Sequence, residues 1–334
     1  MSELRQNIIT RDWVIIATER AKKPNEFAQF KKCHDLGESH REDCPFCLGN
    51  EEDTKLELLR IGDKENWRVR IIPNKFPALS MGLNLTRNVD GIHHIISGFG
   101  YHEVVVEHPN HNVTTALLSI ADIVNIVTAY RQRYLEIAKD SRIETIIIFK
   151  NHGETAGTSL VHPHSQIAAI PVVPHQFRGR LEAANRYYDD TGDCIFCRSL
   201  QDELEDGERI VFENKSFVAF IPYAALSPFH IWVFPRRHSS AFEEINDDEL
   251  LDLAEVFKVV LGKLYYGLND PDYNYTIRST PIQEHSSKYY HWYLAIVPRV
   301  SKQAGFELGS GMYINTALPE ASAEFLRSVI VPDC

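Results

Sequence analysis

The segment Gly157-Thr158-Ser159-Leu160-Val161-His162-Pro163-His164-Ser165-Gln166 places two imidazoles and a carboxamide at every second position. Side chains alternate between faces along an extended strand, so His162, His164 and Gln166 are expected on one face. The small residues just before them, Gly153 to Ser159, offer backbone N–H groups and hydroxyls that can approach a phosphate closely. Imidazoles, a carboxamide and such a loop together suit phosphorus chemistry. A single strand histidine would more simply be satisfied by local hydrogen bonds; the whole pattern argues against that reading.

Four of the six cysteines form two pairs, Cys44-Pro-Phe-Cys47 and Cys194-Ile-Phe-Cys197, while Cys33 and Cys334 stand alone and are read as incidental. A Cys-x-x-Cys pair serves as a redox dithiol or as half of a zinc site. Two pairs with similar flanks favour metal, and the missing ligands should then be histidines later in each half.

The elements that must position these groups repeat. In the first half the cysteine pair is followed by a strand and turn from Arg68 to Leu79, then by the strand His102-Glu-Val-Val-Val-Glu leading to His111. An amphipathic helix follows over about 114–139, with Leu117, Leu118, Ile120, Val124, Val127 and Tyr134 at helical spacing, and then a strand at 144–149. In the second half the pair precedes Arg209 to Phe220, a strand from His230 leading to His238, and a helix over 247–268 capped by Asn246. Strands at 273–278 and 290–298 complete it. Read this way, the chain divides into 1–175 and 176–334, and the metal sets are Cys44, Cys47, His111, His162 and Cys194, Cys197, His238, His291. The His-to-His gaps are 51 and 53 residues, whereas the Cys-to-His gaps are 67 and 44, which predicts an insertion in the first half near 80–100. Two structural zinc ions are expected. The proline that ends the following strand lies two residues closer to His291 (Pro298) than to His162 (Pro171), which makes His291 the weakest of the eight assignments. Tyr293 stands where the first half has His164, and Ala295 where it has Gln166, so only the first half keeps a free imidazole.

A chain of 334 residues with a formal net charge of −11 and no Lys/Arg-rich block excludes a broad nucleic-acid surface. Small anionic substrates need only a few local cations and remain open. No run approaches the ~18–20 apolar residues of a membrane span, and the start has no apolar signal core. A reducing, cytoplasmic location without a disulfide framework is therefore expected. The acidic run from Asp202 to Glu208 reads as solvated loop, and 319–329 as a C-terminal helix opened by proline.

The motifs CPFC, PNKFPAL, HEVVVEHPNH, HPHSQ and CIFC, with the terminal stretches Trp13 to Pro24 and Ala304 to Asn315, resemble the galactose-1-phosphate uridylyltransferase family of the histidine-triad superfamily over nearly the whole chain. The resemblance implies an α+β fold: a duplicated histidine-triad-like unit with two mostly antiparallel sheets and packed helices, often in a homodimer. It implies that His164 is the nucleophile taking the nucleotidyl group and that His162 binds zinc. It also implies that Gln166 and Ser159, with the loop residues Gly157 and Thr158, contact phosphoryl oxygens. Asn74 and Asn151 would lie near the nucleotide, Arg20 near the phosphates, and Phe306 and Glu307 near the sugar. Lys75 stands where some members carry an aspartate near the ribose, and Lys23 where an arginine is common. CIFC with His-Trp-Tyr at 291–293 resembles a two-zinc branch that also includes ADP-glucose phosphorylase.

The expected reaction is ping-pong transfer of UMP from UDP-glucose to galactose 1-phosphate through a uridylyl-histidine. Histidine is largely neutral at pH 7, and its second nitrogen is expected on a backbone carbonyl. The alternatives are a phosphorylase or adenylyltransferase using the same histidine, and a non-catalytic, zinc-stapled binding module.

Overall fold

The computed structural model describes all residues except 1, 21–22, 29–36, 55 and 333–334, so Cys33 and Cys334 lie outside the described residues. Ten strands form one sheet. In chain order they are β1 (Leu59–Gly62), β2 (Trp67–Pro73), β3 (Tyr101–Val106), β4 (Thr145–His152), β5 (His164–Ile170), β6 (Ile210–Glu213), β7 (Phe217–Phe220), β8 (Ile231–Pro235), β9 (Tyr273–Arg278) and β10 (Tyr293–Pro298). Their spatial order is β6-β7-β8-β10-β9-β4-β5-β3-β2-β1. The first five read outward from the centre as 4-5-3-2-1 and the second five as 9-10-8-7-6, so the two halves share one topology. The two expected antiparallel sheets are thus halves of a single sheet. They join edge to edge where β4 pairs antiparallel with β9, from Tyr273 opposite His152 to Ile277 opposite Ile148.

Each half inserts one long helix between its third and fourth strands: α1 (Ile120–Ile137) and, later, α4 (Asp247–Leu268). Both pack on the same sheet face. Ile123, Val127 and Tyr130 of α1, Leu253, Phe257 and Leu261 of α4, and Ile148, Ile167, Ile277 and Leu294 of the strands all belong to one buried core. Burial of each such side chain contributes roughly 1.5–3 kcal/mol. Asn246 opens α4 with a capping box: its Oδ1 accepts from Glu249 N–H at 2.9 Å, and the Glu249 carboxylate accepts from Asn246 N–H at 3.0 Å.

The first helix is shorter than its periodicity implies. Residues 115–117 form a separate 3-10 turn, and Ser119 caps α1 by accepting from Asp122 N–H. This start sets the phase, so Ile123, Ile126, Val127, Tyr130 and Tyr134 face the core while Ile120 is exposed. The predicted insertion is a hairpin of Arg87–Asp90 and His93–Ile96 standing off the sheet. The acidic run is not loop. It closes α3 (Ile195–Asp206), which follows α2 (His175–Thr191), and Glu203 is buried there because Arg209 pairs with it at 2.7 Å. The C-terminal helix α5 (Pro319–Ser328) has its proline in the first turn. A small three-stranded sheet of Glu3–Gln6, Trp13–Ile16 and Tyr313–Asn315 brings the two ends of the chain together. No helix among the described residues is long and apolar enough to cross a membrane.

A buried polar cluster ties the halves together on the helix-covered face. Glu107 is fully buried and accepts from Lys150 Nζ, from Thr115 Oγ1 at 2.9 Å and from Tyr130 Oη at 3.3 Å. Tyr130 in turn bonds Ser165 at 2.5 Å and Tyr275 of the second half at 2.6 Å. The lysine charge holds the Glu107 carboxylate ionised despite burial. Removing one partner strands a buried charge, which costs about 3–5 kcal/mol. Lys150→Met is therefore expected to lower unfolding stability by that amount in denaturant melts, and the double variant Glu107→Gln/Lys150→Met to recover most of it. A single variant as stable as the parent would contradict this account.

Candidate active site

The face of the sheet opposite α1 and α4 carries the chemistry. Alternation along β5 sends Ser165, Ile167 and Ala169 toward the helices and His164 and Gln166 the other way. The strand begins at His164, so His162 lies just before it rather than on it. Pro163 separates the two rings, and they take different surroundings.

His162 turns into the first cysteine pair. Its Nδ1 lies 3.7 Å from Cys44 Sγ and 3.6 Å from Cys47 Sγ, and His111 Nδ1 lies 3.6 Å from Cys47 Sγ. Two thiols and two imidazoles are buried together with their donor atoms within 4.8 Å of one another. A tetrahedral shell with zinc–ligand bonds of about 2.0–2.3 Å has edges of about 3.5 Å, so the donors already sit near a shell's spacing. The other nitrogen of His162 is 2.7 Å from the carbonyl oxygen of His108, the outer hydrogen bond that orients a ligating imidazole. Burial, with the neighbouring Cys47 thiol, pushes the Cys44 thiol up to about 11, a penalty that a bound cation would reverse.

The second pair repeats this more loosely. Cys194, Cys197 and His238 form a group with donors within 4.8 Å. His238 Nδ1 lies 3.2 Å from Cys197 Sγ, and its Nε2 lies 3.1 Å from the carbonyl oxygen of Ser287. His291 Nδ1 is 3.3 Å from Cys197 Sγ but stands outside the tight group of three. Both clusters hold sulfur and imidazole donors with no carboxylate, a set that could hold metal and suits zinc.

His164 is free of both clusters. Its Nδ1–H donates to the carbonyl oxygen of His162 at 2.8 Å, which leaves Nε2 with the lone pair. Burial lowers its pKa, so the ring is neutral at pH 7. The ring lines a cavity of about 260 Å³ whose wall also includes Asn151, Thr158 and Ser159. The loop between β4 and β5 makes a 3-10 turn, Glu154–Ala156, between Gly153 and Gly157, both at positive φ. Gly153 is required twice over: its φ is +83°, and a Cβ there would collide with the Asp272 carboxylate. That carboxylate accepts from the N–H of Thr155 at 2.8 Å, so a residue of the second half fixes the loop.

Gln166 and Asn74 meet through His102, a strand residue to which the sequence alone assigns no role. His102 Nδ1 accepts from the N–H of Ala78 at 3.0 Å, so its Nε2 carries the proton and donates to Gln166 Oε1 at 2.8 Å. Asn74 Nδ2 reaches the same oxygen at 3.5 Å. With Oε1 engaged, the amide NH₂ of Gln166 is the end left for a ligand. The detectable signal was spacing: His102 pairs opposite Ala168, one pleat along from Gln166 opposite Val104.

Glu307 lies farther off. It lines a larger cavity of about 670 Å³ that shares Asn151 with the His164 cavity. Arg20 and Phe306 are exposed and line neither.

Comparison with known proteins fits this geometry. The N-terminal domain of galactose-1-phosphate uridyl transferase matches residues 1–174, and the C-terminal domain of the same family matches 180–310. The chain belongs to the galactose-1-phosphate uridyl transferase family. ADP-glucose phosphorylase of Arabidopsis thaliana is 39% identical over 98% of this chain and 93% of that protein. Galactose-1-phosphate uridylyltransferase of Thermotoga maritima is 28% identical over 99% of both. The crystal structure of an Arabidopsis ADP-glucose phosphorylase with bound ADP-glucose matches with a TM-score of 0.84 and 36% identity, covering 99% of this chain and all of that one.

If both clusters load, metal analysis of protein purified with zinc should give about two ions per chain. Cys44→Ser and Cys194→Ser should each remove one, and chelation should lower the melting temperature. An unchanged count in either variant would contradict that cluster's assignment.

Proposed function

We propose that this enzyme transfers a nucleotidyl group from a nucleotide sugar by way of a covalent nucleotidyl-histidine at His164. One observation carries the reading: His164 lines the cavity with Nδ1 locked on a carbonyl and Nε2 left as the nucleophile. Nε2 attacks the α-phosphorus, an N–P bond forms, the bond to the bridging oxygen breaks, and the sugar 1-phosphate leaves. An oxygen of a second phosphate then attacks the same phosphorus and releases the imidazole. That oxygen is already anionic, so the second step needs no protein base.

The remaining roles are assigned on the same reading. The Gln166 amide and Ser159 hydroxyl, with the N–H groups around Gly157 and Thr158, stabilise charge on the non-bridging oxygens. Asn151 borders both cavities and faces the phosphates, and Asn74 lies toward the nucleotide. Glu307 reaches the sugar through the larger cavity; Phe306 and Arg20 act only if closure or a second copy of the chain brings them in. Zinc in the two clusters is structural: it holds His162, and through its carbonyl the tautomer of His164. The chain works as two halves that meet near residue 175, and only the first carries the nucleophile.

For the donor, ADP-glucose with inorganic phosphate as acceptor is the favoured reading. Its support is the 39% identity to a phosphorylase against 28% to a uridylyltransferase over the same span. UDP-glucose with galactose 1-phosphate, the pair expected from the motifs, is the second reading, supported by the family's name. Lys75 beside Asn74 fits a nucleotide pocket that differs from members with an aspartate there.

Incubation with nucleotide sugar labelled at the α-phosphate should leave acid-labile label on the protein, and His164→Gly should retain none. Label on that variant would exclude the mechanism. Gln166→Ala should lower kcat by about 10²–10³-fold. Rates with ADP-glucose plus phosphate should exceed those with UDP-glucose plus galactose 1-phosphate, and the reverse order would select the second reading.

A further inference from the structure

The repeat maps each position around His164 onto the second half. On the face that bears the site, Phe149 opposes Gln166 and Thr276 opposes Ala295. Two residues on from Phe149 stands Asn151, and two on from Thr276 stands Arg278, paired with Tyr293. Val104 opposes Gln166 two residues after His102, as Trp232 opposes Ala295 two residues after His230. The second half therefore keeps a histidine at the place of His102 but puts a tyrosine at the nucleophile's place, an alanine at that of Gln166 and an arginine at the asparagine's.

Its interior is filled differently. Tyr290, Tyr293 and Phe196 pack under α2 and α3, so the space that would mirror the His164 cavity is closed. What stays open is the side where Arg278 stands. Arg278, Arg180 of α2, Arg299 and Lys302 all line the larger cavity of about 670 Å³. Two carboxylates line it as well, Asp12 and Glu307. Glu307 is spent in part on capping its own helix, accepting from Ala304 N–H at 2.9 Å. Neither arginine forms an ion pair with a carboxylate among the described residues; the one contact of Arg180 is to its own helix, the carbonyl of Gln176 at 3.2 Å. Both guanidinium groups line this one cavity, and burial, with the Arg180 charge nearby, lowers the pKa of Arg278. Around them lie buried polar atoms without partners: Nε of Arg180, Oγ of Ser227, Nδ1 of His230 and Oη of Tyr290. Paired cations without an anion are costly in a half-buried setting, and orphaned buried donors call for an explanation.

We propose that the second half holds a non-reactive oxyanion site in which Arg278 and Arg180 take a phosphate group, as inorganic phosphate or as the phosphate of a monoester. The planar guanidinium forks match a phosphate's oxygens, and a dianion would relieve the repulsion between them. The site is expected to bind without chemistry, because Tyr293 stands beside Arg278 where His164 stands in the first half; His175 lines the same cavity. It is independent of which nucleotide reacts at His164.

The test uses the zinc-loaded full chain carrying His164→Gly, so that no substrate turns over. Calorimetric titration with inorganic phosphate should show a binding event that Arg278→Met and Arg180→Met each weaken at least tenfold, with circular dichroism unchanged. Ser159→Ala/Gln166→Ala should leave that event in place. Glucose 1-phosphate in a second arm identifies the source: tighter, Arg278-dependent binding than phosphate names a monoester, and weaker binding names inorganic phosphate. If Arg278→Met fails to fold, Arg180→Met at the cavity wall and Arg278→Lys replace it. No binding event, or binding unchanged in the arginine variants but lost in Ser159→Ala/Gln166→Ala, would overturn the proposal.

Discussion

The pairing of β4 with β9 is the constraint on which the rest of this molecule depends. It turns two five-stranded units into one surface and sets Asn151 of the first half opposite Asn274 of the second. The Asn274 amide then bonds both Asn151 Oδ1 at 2.8 Å and the carbonyl of Ala156 at 2.9 Å. From the same strand end, Asp272 reaches the loop beside His164, and Tyr275 closes the buried cluster around Glu107. The site is therefore carried by the first half and held in shape by the second. A half expressed alone would lose the partner of β4 and the anchor of its own glycine loop together.

Rigidity around His164 comes from hydrogen bonds that commit atoms rather than from close packing alone. The carbonyl of His162 takes the Nδ1 proton, and the carbonyl of His108 takes the far side of His162. Each bond removes a tautomer or a ring flip that would otherwise compete. His102 does the same for Gln166, because its own Nδ1 is already engaged by Ala78. A chain of such commitments leads from the cysteine pair to the cavity, so disruption of that cluster would reach His164 through backbone rather than through contact.

Much of this was legible in the sequence where one residue type has few uses. Cysteine pairs, each followed by two histidines at nearly equal separation from one another, pointed to the two clusters and the order of elements, and Asn246 marked the start of the second long helix. Other features depend on contacts between distant segments. The phase of the first helix was misread because the cap at Ser119 lies inside the apolar run. Glu203 looked solvated because Arg209 pairs with it only once the chain has turned back. His102 went unassigned because its partner lies 64 residues away on a neighbouring strand. Sequence spacing also placed His162 on the strand with His164, when the proline between them ends the alternation one residue earlier.

A sheet made by joining two open edges has to avoid recruiting a third. The outermost strands, β1 and β6, are each only four residues long. Both are out of regular register with their neighbours, between Ile61 and Gly62 in one and between Ile210 and Phe212 in the other. Short, interrupted borders offer a poor template for another chain's backbone. Lateral addition of one unit to the other is thereby terminal: the sheet is joined once, in the middle, and its rims are shaped against polymerisation.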